Sequence, residues 1–303
     1  MGRVTRVVAH PVASAYRPCL PRPGTLGPAP LVQTVCVPPL SSAGFRDVPD
    51  DVGGRAGRTW WDLNAEEYLQ EHGDFLGADD FCWCPEGLRE ADAGLLGAVE
   101  GRSVLEVGAG AGQCSRWLVG RGARAVATDV SAGMLLAGAA LDRATGTRVP
   151  AVQADARALP FADACFDVAF TAFGAIPFVP DALAIHTEVH RVVRQGGTWV
   201  FAVTHPVRWA FPDDPSAAGL TANRSYFDRR PYVETDDDGT VSYAEYHRTL
   251  GDHVGGLTAA GWTLDRLVEP EWPEEHLRTW GGWGPVRGAL LPGTAIFVCR
   301  KAA

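Results

Sequence analysis

One stretch of the chain constrains its fold more than any other: the run from Ser103 to Gly112, with the sequence Ser-Val-Leu-Glu-Val-Gly-Ala-Gly-Ala-Gly. The first half has the length and apolar character of a strand that is buried on both faces of a parallel sheet. The second half carries a glycine at every other position, which permits a sharp turn into a helix and a close approach of a ligand to the backbone. The pattern therefore predicts an α/β fold that binds a ligand beyond the carboxyl ends of its strands.

The apolar half of this stretch is interrupted by Glu106. An unpaired carboxylate inside a core strand costs several kcal/mol, because burial removes its hydration shell. The position next to the glycine turn therefore indicates that a cationic group of a bound ligand lies near this side chain.

Two classes of cofactor are compatible with a glycine turn of this kind. The dinucleotide fingerprint, Gly-x-Gly-x-x-Gly, grips a pyrophosphate at a helix N-terminus and requires a third glycine where this chain has Gln113. A nicotinamide-dependent oxidoreductase is therefore an alternative that the spacing opposes. Because a glycine loop alone is weak evidence, the residues that follow it in the sequence must distinguish the two classes of cofactor.

An acidic residue follows the second apolar strand. Asp129 lies one strand–helix–strand unit after Gly108, an interval that brings a carboxylate next to a bound ribose. The same side chain can cap the helix that opens after Val130, and both roles can coexist. This position alone does not separate the two classes of cofactor.

The run from Ala154 to Asp167 reads Ala-Asp-Ala-Arg-Ala-Leu-Pro-Phe-Ala-Asp-Ala-Cys-Phe-Asp. It resembles, almost residue for residue, the Asp-Ala, Leu-Pro-Phe and Phe-Asp steps of the class I S-adenosylmethionine-dependent methyltransferases, and in particular a type 11-like domain. The Gly-x-Gly-x-Gly turn is similar to motif I of the same family. The match covers about residues 102–204.

This resemblance implies a Rossmann-like α/β fold, with a seven-stranded, mostly parallel sheet, helices on both of its faces and an antiparallel hairpin at one edge. It also implies S-adenosylmethionine as methyl donor, direct displacement and no metal. In the family, the acid at the Asp155 position accepts from the adenine amino group, and an apolar side chain at the Met134 position packs on adenine. The implied cofactor-binding residues are Glu106, Gly108, Ala109, Gly110, Gly112, Asp129, Val130, Met134, Asp155, Ala156, Thr171, Ala172 and Phe173.

The N-terminal part of the chain differs in composition from the rest. Residues 1–57 hold nine prolines and no acidic residue before Asp47. Such a segment buries too little apolar surface to offset the entropy of ordering, so we expect a disordered tail. Residues 58–100, with helical patterns from Thr59 to His72 and from Leu88 to Val99, are expected to form a helical lid over the ligand.

Residues 101–303 are expected to form the methyltransferase domain, with an insertion at about 205–245 that covers the substrate. His205 is the first ionisable side chain after the fifth predicted strand and is the candidate general base. An amine acceptor needs no base, whereas a hydroxyl or a carbon acid can need one. The candidate substrate and lid residues are Tyr68, Trp83, Trp209 and Tyr226.

Composition limits the remaining functions. A net charge of −9 argues against a general nucleic-acid binder, and no apolar run approaches the roughly 20 residues that cross a membrane. None of the seven cysteines forms a Cys-x-x-Cys pair, so we expect free thiols, no metal site and a cytoplasmic protein. We expect a monomer or homodimer that acts on a small molecule. A non-catalytic module that binds S-adenosylmethionine would keep the same ligand residues and stays an alternative.

Overall fold

The computed structural model describes residues 42–302. Its strands are β1 (Ser42–Phe45), β2 (Ser103–Val107), β3 (Arg124–Asp129), β4 (Ala151–Gln153), β5 (Phe166–Ala172), β6 (Val193–Thr204), β7 (Tyr232–Thr235), β8 (Val241–Glu245), β9 (Trp262–Val268) and β10 (Thr294–Lys301). Its α-helices are α1 (Asp50–Leu76), α2 (Glu90–Ala93), α3 (Gln113–Val119), α4 (Ala132–Thr145), α5 (Ala182–Val192), α6 (Leu250–Ala259) and α7 (Pro285–Gly288). Short 3-10 helices cover Ile176–Phe178, Pro206–Ala210 and Ala217–Leu220.

Seven strands form one sheet in the order β4-β3-β2-β5-β6-β10-β9. The first five strands in this order, β4, β3, β2, β5 and β6, are parallel to one another. β10 runs antiparallel to both of its neighbours, β6 and β9. The chain moves outward from β2 to β4 and then returns to β5 on the other side of β2. This change of direction opens a crevice at the carboxyl ends of β2 and β5. The predicted seven-stranded, mostly parallel sheet with an antiparallel pair at one edge is confirmed.

Helices cover both faces of this sheet. Leu105 of β2 packs on one face with residues of α5 and α6, and Val104 packs on the opposite face with α3. This alternation follows from the two-residue period of a strand. Trp117 and Leu118 of α3 are buried against the sheet. The same period places Glu106 on the α3 side.

A second, smaller sheet has the antiparallel strand order β1-β7-β8. β7 and β8 belong to the predicted insertion at about residues 205–245. The long helix α1 packs against β8 and also against α4 of the main domain. α1 therefore connects the small sheet to the edge of the main sheet where the ligand is expected.

The predicted tail boundary at residue 57 is wrong. Residues 42–45 pair with β7, and α1 begins at Asp50 instead of Thr59. The first turns of α1 bury Gly53, Ala56 and Gly57, and the low helix propensity of the glycines hid the helix in the sequence. Close packing supplies the stability that local propensity lacks. The rest of the predicted tail, residues 1–41, lies outside the described residues.

The predicted lid at residues 58–100 is helical only in part. α1 supplies its helix, but the second predicted helix, Leu88–Val99, is reduced to the single turn α2. After α1 the chain turns inward, and the fully buried rings of Phe81 and Trp83 pack against Phe170 of β5. This segment therefore completes the core on the α3 side of the sheet.

Candidate active site

A pocket lies at the carboxyl ends of β2, β3 and β5, with α1 on its outer side. It encloses about 960 Å³, including the solvent space at its open mouth. Its lining residues are Trp61, Tyr68, Leu76, Asp80, Cys82, Glu106, Gly108, Ala109, Gly110, Ala111, Gln113, Cys114, Thr128, Asp129, Val130, Met134, Ala154, Ala156, Ala172, Phe173, Gly174, Ala175 and Phe178.

The loop after β2 has no side chain at the position where the loop after β5 approaches it. Gly108 has a positive φ of 66°, and a Cβ there would lie 2.6 Å from the amide nitrogen of Ala175. A Cβ at Gly174 would overlap the carbonyl oxygen of Gly108. The two loops touch backbone to backbone, so a larger residue at either glycine would push two walls of the pocket apart.

Glu106 presents a buried carboxylate to this pocket. The residue is 3% exposed, and its Oε2 accepts hydrogen bonds from the backbone N–H (3.0 Å) and the hydroxyl (2.5 Å) of Ser115 in the first turn of α3. Burial raises the pKa of Glu106 to about 7, although the bonds from Ser115 oppose this rise. A cationic ligand group in the pocket would favour the ionised form.

Asp129 holds two backbone segments of the same pocket together. Its Oδ2 accepts from the N–H of Gly110 (2.7 Å), and its Oδ1 accepts from the N–H of Ser131 (2.8 Å). Burial raises the pKa of Asp129, and these backbone donors oppose the rise. The N-cap of α4 is Ser131, whose hydroxyl accepts from the N–H of Met134. Asp129 therefore supports the start of α4 without being its cap.

A carboxylate of α1 links this helix to the start of α4. Asp62 Oδ1 accepts from the hydroxyl of Ser131 (2.8 Å) and from the N–H of Gly133 (2.9 Å), at the N-terminus of α4 where negative charge is favoured. This contact places the rings of Trp61 and Tyr68 at the pocket wall, with their centroids 5.3 Å apart. The structure therefore brings the predicted lid residue Tyr68 to the pocket.

The structure places most of the predicted cofactor residues around this one pocket. Those that line it are Glu106, Gly108, Ala109, Gly110, Asp129, Val130, Met134, Ala156, Ala172 and Phe173. Two others only shape its surroundings. Gly112 is the left-handed residue before α3, with a φ of 71°, and Thr171 is fully buried inside β5.

Asp155 is not among the lining residues. Its carboxylate forms a bidentate salt bridge with Arg157, with 3.0 Å from Nε to Oδ1 and 2.7 Å from Nη2 to Oδ2. This pairing lowers the pKa of Asp155. The neighbouring Ala154 and Ala156 line the pocket instead. In this conformation the acid is occupied by the guanidinium, which the residue-by-residue resemblance did not reveal.

Three of the predicted lid and substrate residues lie elsewhere. Trp83 is fully buried, and its indole N–H donates to Glu90 (2.8 Å), so its role is in the core. Trp209 is buried with its ring centroid 5.4 Å from that of His247. The hydroxyl of Tyr226 accepts from the N–H of Leu250 at the start of α6. No residue of 205–245 lines the pocket, and β8 of this insertion packs against α1.

His205 does not reach the pocket. It is 5% exposed, its Nδ1 accepts from the N–H of Val207 (3.1 Å), and its Nε2 lies 2.8 Å from Oε1 of Glu269. Because Nδ1 is the acceptor, Nε2 carries the proton and donates to the carboxylate. Burial lowers the pKa of His205, and Glu269 opposes this effect. The side chain closes the turn after β6, and we do not propose it as a base.

The sequence reasoning missed twelve of the lining residues, and five of these carry an aromatic ring, a carboxylate or a thiol: Trp61, Asp80, Cys82, Cys114 and Phe178. Trp61 lies seven residues before Tyr68, a spacing that shares one helix face, and it could have been found from the sequence. Cys114 follows the glycine loop directly. Asp80 and Cys82 reach the site only because the chain after α1 folds back into the core, and no local signal indicates that.

Within residues 42–302, no group of three or more His, Cys, Asp or Glu side chains is arranged to hold a metal ion. Among the helices of the same range, none combines the length and apolar character needed to cross a membrane.

The sequence of this chain is similar to those of known methyltransferases. Residues 104–197 match a family model described as a methyltransferase domain. The demethylmenaquinone methyltransferase of Mycolicibacterium paratuberculosis (strain ATCC BAA-968 / K-10) is 35% identical over 182 residues, which is 57% of this chain and 73% of that protein. The protein of the same name from Mycobacterium sp. (strain JLS) is 34% identical over 199 residues, 63% of this chain and 78% of that protein.

A solved structure shows the same fold. The S-adenosylmethionine-dependent methyltransferase from Mesorhizobium loti superposes with a TM-score of 0.57 at 24% identity, covering 74% of this chain and 100% of that chain. The matched family model spans β2, the glycine loop and the strands through the start of β6, which supply one side of the pocket, whereas α1 on the other side lies outside the match. The chain belongs to the class I S-adenosylmethionine-dependent methyltransferases.

Proposed function

We propose that this protein transfers a methyl group from S-adenosylmethionine to a small, planar aromatic acceptor held against α1. The observation that carries this proposal is the aromatic wall of the pocket. Trp61, Tyr68 and Phe178 meet edge to face, with the Trp61 centroid 5.3 Å from that of Tyr68 and 5.4 Å from that of Phe178. Such a wall binds a flat apolar ring and excludes water from it.

The opposite side of the pocket fits the methyl donor. Glu106 and Asp129 both line the pocket, and the glycine loop between them offers backbone without side chains. We infer that Glu106 lies near the cationic methionine end, Asp129 near the ribose hydroxyls, and Met134 against the adenine ring. When bound, the donor would supply an electrophilic methyl group on a sulfonium, with S-adenosylhomocysteine as the leaving group and the displaced proton of the acceptor passing to solvent.

The contribution of the protein is mainly alignment. Direct displacement requires donor and acceptor in line and water kept out, and it needs no covalent intermediate on the protein. The hydroxyl of Tyr68 is held in its protonated form, since burial raises its pKa. It can therefore donate a hydrogen bond to a carbonyl or phenolate oxygen of the acceptor but is a poor general base.

The names of the relatives support an aromatic acceptor. The proteins from Mycolicibacterium paratuberculosis and Mycobacterium sp. are called demethylmenaquinone methyltransferases, and demethylmenaquinone is a fused bicyclic quinone that becomes fully aromatic on reduction. We therefore propose the reduced naphthoquinone ring as the first acceptor class to test. The alternative of a non-catalytic S-adenosylmethionine-binding module predicts tight binding of the donor but no product.

The test measures S-adenosylhomocysteine formed from S-adenosylmethionine and a 1,4-naphthoquinol that lacks the ring methyl group. Trp61→Ala should reduce kcat/KM for the acceptor by about tenfold or more, since it removes one wall of the acceptor site. Leu63→Ala is the matched control, because Leu63 lies on the same helix but is 72% exposed. Donor binding without any product would favour the non-catalytic module. Equal activity of the Trp61 variant would show that the acceptor lies elsewhere.

A further inference from the structure

The ionised side chains that line the cofactor pocket all carry the same sign. Three acids line it: Asp80, Glu106 and Asp129. Burial raises the pKa of the Tyr68 hydroxyl and of the two thiols that line the same pocket, so these groups stay neutral. Within residues 42–302, no arginine, lysine or histidine lines the pocket. A bound ligand therefore contacts carboxylates without contacting a cationic side chain of this range.

Glu106 forms no salt bridge with the described part of the chain. Its Oε2 accepts both hydrogen bonds from Ser115, whereas its Oε1 accepts none from residues 42–302 and keeps accessible surface. Arg116 lowers the pKa of Glu106, but its own Nε lies 2.8 Å from Asp142 and its Nη atoms donate to backbone carbonyls. The charge of Arg116 is therefore already opposed by another acid.

Asp129 is held by backbone groups alone. Its two oxygens accept from the N–H groups of Gly110 and Ser131, and no cation of residues 42–302 forms a salt bridge with it. Asp62 approaches Ser131 from α1 and raises the pKa of Asp129, so the nearest added charge is also negative. The carboxylate thus has hydrogen bonds but no counter-charge.

The neighbouring charges leave an excess of negative charge at the pocket. Four further acids around it each pair with an arginine: Asp80 with Arg89 (3.1 Å), Asp142 with Arg116 (2.8 Å), Asp62 with Arg58 (3.9 Å) and Asp155 with Arg157 (2.7 Å). Glu106 and Asp129 remain, and Asp129 raises the pKa of Glu106 because the two carboxylates repel each other. A group bound over the glycine loop between them is therefore stabilised when it is positively charged.

The methyl donor and its product differ in charge at one atom. The sulfur of S-adenosylmethionine is a sulfonium, whereas that of S-adenosylhomocysteine is a neutral thioether with the same ammonium and carboxylate groups. We propose that Glu106 and Asp129 discriminate the charged donor from its neutral product, so that S-adenosylhomocysteine leaves readily and inhibits only weakly. This inference rests on the proposed function, since it takes S-adenosylmethionine as the donor.

The experiment is isothermal titration calorimetry on the full chain at pH 7.5, without an acceptor. The probes are S-adenosylmethionine, S-adenosylhomocysteine and sinefungin, which carries an ammonium group in place of the sulfonium methyl group. We expect S-adenosylmethionine and sinefungin to bind at least about tenfold more tightly than S-adenosylhomocysteine.

The outcomes separate this inference from the proposed function. If S-adenosylhomocysteine binds as tightly as S-adenosylmethionine, the discrimination is refuted while the donor site stands. If sinefungin binds as weakly as the product, the methyl group and not the charge makes the difference, and the role of the two acids is refuted. If none of the three binds, both the donor assignment and this inference are refuted.

Variants assign the discrimination to the two acids. Glu106→Gln and Asp129→Asn keep the shape of each side chain and remove its charge. Each should lower the ratio of the product Kd to the donor Kd by about threefold or more. This ratio compares two ligands on one variant, so a general loss of stability does not change it. Glu100→Gln removes the same charge from an exposed position outside the pocket and should leave the ratio unchanged. A wild-type ratio in both pocket variants would overturn the proposal.

Discussion

Replacing Glu106 with glutamine tests the electrostatics of the cofactor pocket most directly. The carboxylate is 3% exposed and accepts two hydrogen bonds from Ser115. Glutamine has nearly the same shape and keeps an oxygen that can accept from Ser115, but it carries no charge. The substitution therefore isolates the cost of burying an ionised acid from the packing of the side chain.

The magnitude follows from the pKa of Glu106, which burial raises from 4.5 to about 7. The unfolded chain releases this proton near pH 4.5, whereas the folded protein retains it until about pH 7. Burial of this group therefore costs no folding free energy below pH 4.5, where it is protonated in both states. The free energy of unfolding then falls progressively as the pH rises from 4.5 to about 7. At about 1.4 kcal/mol per pKa unit, the loss amounts to roughly 3 kcal/mol, which Glu106→Gln should avoid.

The assay is urea unfolding of the ligand-free protein at pH 5 and pH 8. The difference in unfolding free energy between Glu106→Gln and wild type should shift in favour of the variant by roughly 1–3 kcal/mol between the two pH values. Glu100→Gln, an exposed glutamate just before β2, should show no such shift. Parallel pH dependence of wild type and Glu106→Gln would refute the reasoning.

The same variant should bind S-adenosylmethionine about tenfold more weakly at pH 8, because a cationic ligand loses its counter-charge. Wild-type affinity should rise between pH 6 and pH 8 as the carboxyl group ionises, whereas the affinity of the variant should stay flat. Calorimetry measures both. A variant that binds as tightly as wild type at pH 8 would place the cationic end of the donor away from Glu106.

Three further substitutions test other parts of the structure. Asp129→Ala should lose about 1–3 kcal/mol of S-adenosylmethionine affinity and also some unfolding free energy, since two backbone donors lose their acceptor; unchanged calorimetry and melting would contradict this. Trp83→Ala should cost about 3–5 kcal/mol in urea unfolding, as expected of a core residue; a loss of activity without loss of stability would restore a substrate role. Gly174→Ala should weaken donor binding because its Cβ overlaps Gly108, while Gly73→Ala on open helix surface should be neutral or stabilising.

The sequence by itself determined the central part of the fold. An apolar strand, alternating glycines and an acid at a fixed interval can be recognised locally, since each depends on backbone geometry within one strand–turn–helix unit. The spacing of Glu106, Gly108, Gly110 and Asp129 therefore predicts a single site, and all four residues line one pocket. The residue-by-residue resemblance extends this prediction to the order of the strands.

Only the tertiary structure decided which aromatic and ionisable side chains reach the pocket. Trp83 and Tyr68 are equivalent candidates in the sequence, yet one packs in the core and the other lines the site. His205 follows the expected strand but is held by Glu269, and Asp155 is held by Arg157. The position of each side chain depends on contacts between residues far apart in the chain, or on the rotamers that those contacts select. A local sequence pattern contains no information about either.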